Sequence, residues 1–195
     1  MPRPVGVVEW PERPAWSAWE AGVQWSTVVG YGVVFGLALS VVFTIGLFGG
    51  AALSRDFLLN DYPPAIQHQY GKPQSRRGRQ VALLFGVFVW ALGGIPLVIT
   101  AMIKLHAALE GGLDFLSAAL CAALIFATLT VWDLVVLDWI VFAGLRPRLL
   151  ALPGTEGMPE YRDMRFHLHV ALKGSPLILI VGLLTGGASA LIAQW

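Results

Sequence analysis

Four long apolar runs, separated by two polar stretches and one short link, set the pattern of this chain. They cover about residues 25–53, 80–105, 115–143 and 176–193. A hydrocarbon core about 30 Å thick takes roughly 20 helical residues at 1.5 Å per residue, so each run is a predicted transmembrane helix. No internal repeat or sustained strand period competes with them. The predicted fold is all-α: a polytopic membrane protein built as a bundle of four transmembrane helices with two large loops, 54–79 and 144–174, in one membrane domain.

Local signals place the element ends. In the first loop, Asn60-Asp61-Tyr62-Pro63-Pro64 reads as a turn leading into a short helix, Pro64–Tyr70, with Gly71 as its C-cap. In the second run, Gly93-Gly94 before Pro96 predicts a kink, because proline removes a helical hydrogen bond and crowds the preceding turn. Residues 107–113 are short enough to force an antiparallel hairpin, and Asp114 is a good N-cap. From Phe115 to Ala143 no proline or glycine interrupts the third helix, which at 29 residues is about 43 Å long and must tilt or project. Ser175-Pro176 predicts the start of the fourth helix. Residues 161–172 fit a helical stripe and a strand alternation equally well.

Two stripes of small residues follow helical spacing: Gly32, Gly36, Ser40 and Thr44 in the first run, and Gly182, Gly186 and Ala190 in the last. Small residues let membrane helices approach closely. The two stripes are therefore expected to pack against each other.

Composition supports the membrane reading. The chain is 56% hydrophobic and 13% charged, about half the charged content of a soluble domain, with a mean hydropathy of +0.69. The first 24 residues carry four prolines with Trp10, Trp16 and Trp19, which suits the interface. That tail lacks the basic cluster of a signal peptide, and the first run exceeds an h-region, so it is expected to be a retained anchor. The single cysteine, Cys121, permits no internal disulfide and reads as a small packed residue.

Charge distribution sets the expected orientation. Arg55, Lys72, Arg76, Arg77 and Arg79 lie in the first loop; Arg146, Arg148, Arg162, Arg165 and Lys173 lie in the second. The other side holds Arg3, Arg13 and Lys104, a ratio of ten to three. The positive-inside rule then makes both loops cytoplasmic and both termini extracytoplasmic, in a plasma (inner) membrane. Arg76, Arg77, Arg79, Arg146 and Arg148 are the residues expected to face anionic lipid or a partner.

Candidate chemistry concentrates near the second loop. Asp133 and Asp138 stand in an apolar helix, where an ionisable group asks for a reason. Five residues at 3.6 per turn put them about 140° apart, so they are not expected to form a pair on one face. Asp133 has a structural reading, pairing with a basic group or capping a loop amide, and a functional one, binding a proton or cation. His167 and His169 share a face only if the chain there is extended, in which case they are a weak metal-ligating pair. Trp132 and Trp139, seven apart, read as an aromatic belt near the inner boundary.

The stretches DYPPAIQ (61–67), DLVVLDWIVF (133–142) and PGTEGMPEYRDMRFH (153–167) resemble those of a group of small, uncharacterised bacterial four-helix membrane proteins. The resemblance implies only that the three stretches belong together; it carries over no activity, cofactor or catalytic residue. Motifs for nucleotide, haem attachment, zinc hydrolysis or a nucleophile triad are not present in the sequence. The leading expectation is therefore an accessory or partner-binding protein that works through its basic cytoplasmic face, without cofactor or nucleic acid. One alternative is a homo-oligomeric channel or a proton- or cation-coupled carrier using Asp133. The other is a metal- or haem-dependent enzyme with ligands among His68, His167, His169, Asp133 and Asp138.

Overall fold

The structure is a computed structural model that describes residues 18–109, 112–145 and 147–192, with side chains from residue 24 onward. Arg3, Trp10, Arg13, Trp16, Arg146, Trp195 and the side chain of Trp19 lie outside the described residues. Among the described residues all regular elements are helical. Helix α1 (Ala18–Leu53) leads to a 3-10 turn (Leu59–Asp61) and α2 (Pro64–Tyr70). Helix α3 (Arg76–Gly86) runs through a π-helical stretch (Val87–Gly94) into α4 (Ile95–Ala108). Helix α5 (Phe115–Trp132) runs into a second π-helical stretch (Asp133–Leu145). A 3-10 turn (Pro159–Arg162) then precedes α6 (Met164–Gly174) and α7 (Pro176–Ile192).

Among the described residues four helical runs are long and apolar enough to cross a membrane: Gln24–Leu53, Arg76–Ala108, Phe115–Leu145 and Met164–Ile192. Large apolar side chains such as Val34, Leu83, Leu92 and Leu184 stand exposed along them. The protein is a multi-pass membrane protein, and lipid is the solvent these side chains suit.

Several element ends sit where the local chemistry puts them. Gly71 closes α2 in the left-handed region at φ 64°, and Asp114 caps α5 by accepting from the Leu116 and Ser117 N–H groups. The hairpin link is closed by His106, whose Nδ1 accepts from the Leu113 N–H at 3.2 Å. Ser75 caps α3, so Arg76, Arg77 and Arg79 stand in its first turns.

The fourth span extends the sequence reading. Helix α7 begins at Pro176, as expected, and α6, capped by Asp163, carries the same apolar run back to Met164. Pro176 cannot donate to the carbonyl of Leu172, four residues earlier. That carbonyl accepts instead from the Ser175 N–H at 3.3 Å and the Ser175 hydroxyl at 2.8 Å, at the single turn residue that joins α6 to α7. Pro96 sits in the first turn of α4, just past the π-helical stretch Val87–Gly94 that occupies the place of the break expected near Gly93.

The third span is the packing centre, touching both the first and the fourth. A Cβ on Gly32 would lie 2.6 Å from Leu124 Cβ, and one on Gly36 would lie 2.9 Å from the Ile125 carbonyl oxygen. From the other side, a Cβ on Gly182 would lie 2.9 Å from the Ala119 oxygen, and one on Gly186 would lie 2.7 Å from the Phe115 oxygen. The two small-residue stripes, expected from sequence to meet each other, do not; each packs on the third span. Ser40 is fully buried with its hydroxyl bonded back to the Gly36 carbonyl, while Ala190 is half-buried near the far end. Cys121 is buried in the same core.

The two large loops fold together over one end of the bundle. Leu59, Tyr62 and Ile66 of the first pack against Leu152 and Tyr161 of the second. The Tyr62 hydroxyl donates to the Leu150 carbonyl at 2.7 Å. Tyr161 accepts from the Leu152 N–H and hydrogen-bonds Thr155 Oγ1, which itself donates to the Leu152 carbonyl. The loops form an ordered cap with its own small core.

Candidate functional site

A cavity of about 300 Å³ lies where the cap meets the bundle. All four spans and both loops contribute to it. The first span supplies Phe43 and Leu47, and the second Phe85; the first loop adds Phe57, Asp61 and Tyr62. The third span supplies Asp133, Leu137, Asp138 and Phe142, and the fourth Phe166, His167 and Val170. No Lys or Arg lines it among the described residues. Its volume falls at the lower end of the range for small-molecule sites, which are mostly apolar with a few convergent polar groups.

Asp133 and Asp138 both reach this chamber because the helix there is not an α-helix. A π-turn closes its hydrogen bonds from i to i+5, which stacks residue i+5 near residue i. The stretch Asp133–Leu145 begins at the first of the two acids and contains the second. The 140° separation expected from α-geometry therefore does not apply, and the two carboxylates line one cavity.

Asp138 also ties the third span to the fourth. His167 Nδ1 lies 3.2 Å from Asp138 Oδ1, with His167 only 7% exposed. His167 packs edge-on against Phe142, with ring centroids 5.3 Å apart. Its Nε2 has no hydrogen-bond partner among the described residues. Among the described residues neither a basic group nor a loop amide meets the Asp133 carboxylate, so the tie expected of Asp133 is made instead by Asp138. Trp132, read as part of an interfacial belt, turns inward and donates to Thr44 at 3.1 Å.

His169 does not join His167. Residues 164–174 are helical, so two positions apart point to different sides; His167 is buried and His169 exposed. His68 is exposed on α2. Among the described residues no group of three His, Cys, Asp or Glu is arranged to hold a metal ion, and the metal pair suggested by His-x-His is corrected on this geometry.

Asp61 was read from sequence only as part of a turn. It enters the chamber because the 3-10 turn Leu59–Asp61 brings the first loop under the cap. Its surface is exposed, yet the protein crowds it. That partial desolvation, and then the charge of Asp138, push its carboxyl above the usual range. Asp56, five residues earlier, goes the other way. Burial opposes its ionisation, but hydrogen bonds from Ser54 Oγ, the Ser75 N–H and Ser75 Oγ outweigh it and hold its carboxyl low.

The signs give a prediction. An acid whose folded pKa is raised loses stability as pH rises from its unfolded value, 3.8, to its folded one. Asp61→Asn is therefore expected to raise the melting temperature at pH 7 and to leave it unchanged at about pH 3. Asp56 contributes stability above 3.8 that is lost as pH falls through its lowered folded value. Asp56→Asn should therefore destabilise at pH 7 and have little effect well below that value. Thermal melts of both variants across pH check the pair; equal effects at both pH values would contradict the assignment.

The chamber's three aspartates and its histidine each fall within the three stretches 61–67, 133–142 and 153–167. That grouping was the available signal for Asp61. Comparison with family models, with curated proteins and with solved structures found no match.

Proposed function

We propose that the protein is a membrane-embedded binding protein for a positively charged solute, which it takes into the chamber beneath the cap in exchange for protons. The observation that carries this reading is the convergence of Asp61, Asp133, Asp138 and His167 on one cavity without a Lys or Arg among its described lining. Ionisable groups held within a membrane domain mark ion or substrate sites by default. Two π-helical stretches, one containing both acids, add a feature that recurs at functional sites. The ten-to-three excess of basic residues on the loop side supports placing the capped end in the cytoplasm of a plasma membrane, with both termini outside.

The test is thermal stabilisation of the purified protein by a panel of monovalent inorganic and organic cations. A ligand that binds only the folded state stabilises it by about 2.7 kcal/mol at 100 times its Kd. At least one cation should raise the melting temperature at pH 7, less so at pH 4, where protons compete. Indifference to every cation at both pH values would sink the proposal. Orientation is read separately: a cysteine at exposed Lys72 should resist a membrane-impermeant reagent in intact cells.

A second reading retains the accessory role. Arg76, Arg77 and Arg148 are exposed at the capped end, a surface suited to anionic lipid or an acidic partner. The two readings are compatible, since one uses the cap's outer face and the other the cavity beneath it.

A further inference from the structure

We infer that the chamber's ligand is a protonated amine that carries an apolar, ring-sized body and keeps at least one N–H. The inference rests on the chamber being a cation site, and three independent features narrow the class of cation.

The first is the spread of the acids. They line one cavity, yet no three ligating groups among the described residues are close enough to hold a metal ion. A compact ion needs its oxygens gathered at 2.0–2.6 Å, whereas an ammonium satisfies separate acceptors through separate hydrogens.

The second is the wall. Phe43, Phe57, Phe85, Phe142 and Phe166 face the same space as the carboxylates. Aromatic faces attract a desolvated cation and bury an apolar body at once. A bare inorganic cation would leave most of this surface unused.

The third is His167. It is more than nine-tenths buried, it lines the chamber, and its Nε2 is unpartnered among the described residues. Asp138 as a carboxylate only accepts, so Nδ1 carries the proton shared between them. In the neutral ring Nε2 is then a bare acceptor. A buried polar atom without a partner is costly, and a ligand N–H relieves that cost. A quaternary ammonium has no N–H to offer and leaves Nε2 as it was. The site therefore distinguishes amines by their hydrogens as well as by their charge.

The experiment uses the full chain in nanodiscs at pH 7, with four probes: 2-phenylethylammonium, its N,N,N-trimethyl analogue, 2-phenylethanol and potassium. Stabilisation is read by thermal melting, with the Asp133→Asn/Asp138→Asn double variant as the baseline for effects of the probes on the bilayer. The primary amine is expected to bind at least tenfold more tightly than the trimethyl analogue, with the alcohol and potassium giving no stabilisation above baseline. His167→Phe should bring the two amines within about twofold of each other. The ratio on the wild-type protein decides the matter even if His167→Phe fails to fold. Equal binding of the two amines overturns the inference while leaving the cation site standing. So does binding of potassium without binding of the primary amine. If no cation, including those of the wider panel, separates wild type from the double variant, the inference and the cation-site reading fall together.

Discussion

Gly36→Ala is expected to destabilise the protein, whereas Gly30→Ala, six residues earlier on the same helix, is not. In a soluble helix, glycine to alanine gains up to about 1 kcal/mol through propensity. At Gly30 an added Cβ meets nothing within 4 Å, so that small gain, or no change, is all that remains. At Gly36 the same atom would stand 2.5 Å from Thr128 Cβ and 2.9 Å from the Ile125 carbonyl oxygen. A side chain can rotate away, but a backbone oxygen in a helix moves only if the helix moves. The first and third spans must therefore separate, at a cost of about 1–3 kcal/mol for overpacking, and more for leucine. The last span gives an adjacent-residue control. A Cβ at Gly186 meets the Phe115 oxygen at 2.7 Å, and one at Gly187 meets nothing within 4 Å. Melting temperatures in one detergent should fall for Gly36→Ala and Gly186→Ala and hold for Gly30→Ala and Gly187→Ala. Four equal results would mean that the third span is not the packing centre.

The second large effect concerns the tie between the third and fourth spans. Asp138→Leu removes the charged acceptor facing His167 Nδ1 and leaves a ring that is already unpartnered at Nε2 without any hydrogen bond. Leaving one buried donor unsatisfied costs about 1–3 kcal/mol. The loss is local: α6 is held to the bundle at this point, and its N-terminal end also carries the cap's second loop. Hydrogen exchange should accelerate within residues 164–174 and in the loop 147–163, and much less in residues 24–53. Asp138→Asn keeps an acceptor oxygen and should recover part of the protection. Uniform acceleration across all four spans would instead mean global destabilisation, with no special role for this contact.

What the sequence made legible follows the strength of the physical constraint behind each signal. A membrane span must be apolar along its length, so four spans were readable from composition and length alone. Capping obeys short-range rules, and α2 and the start of α5 matched them at Pro64, Gly71 and Asp114. Misreadings arose where a local signal does not say what lies beyond it. Ser175-Pro176 marks the start of α7 as expected, but the same serine also closes α6 at the Leu172 carbonyl, so the span extends back to Met164. The small-residue stripes announced close packing but carry no address for the partner, and both found the third span.

The site was half legible. Asp133, Asp138 and His167 stood out because charge in an apolar run is costly. Their relation to one another did not, because it depends on a π-helical period that no residue between 133 and 145 announces. Asp61 was hidden inside turn chemistry, and only the fold of the first loop under the cap brings it into the chamber.

The central claim, that these carboxylates form one cation-binding chamber, is tested most directly by carboxyl carbon NMR of the protein labelled at aspartate. Single Asn variants assign the Asp61, Asp133 and Asp138 signals, and 2-phenylethylammonium is titrated in at pH 7. The account predicts that these three signals shift together, saturably and with one apparent Kd, while Asp56 and Asp163 stay in place. Saturable binding of the amine without movement of the Asp133 and Asp138 signals would contradict it.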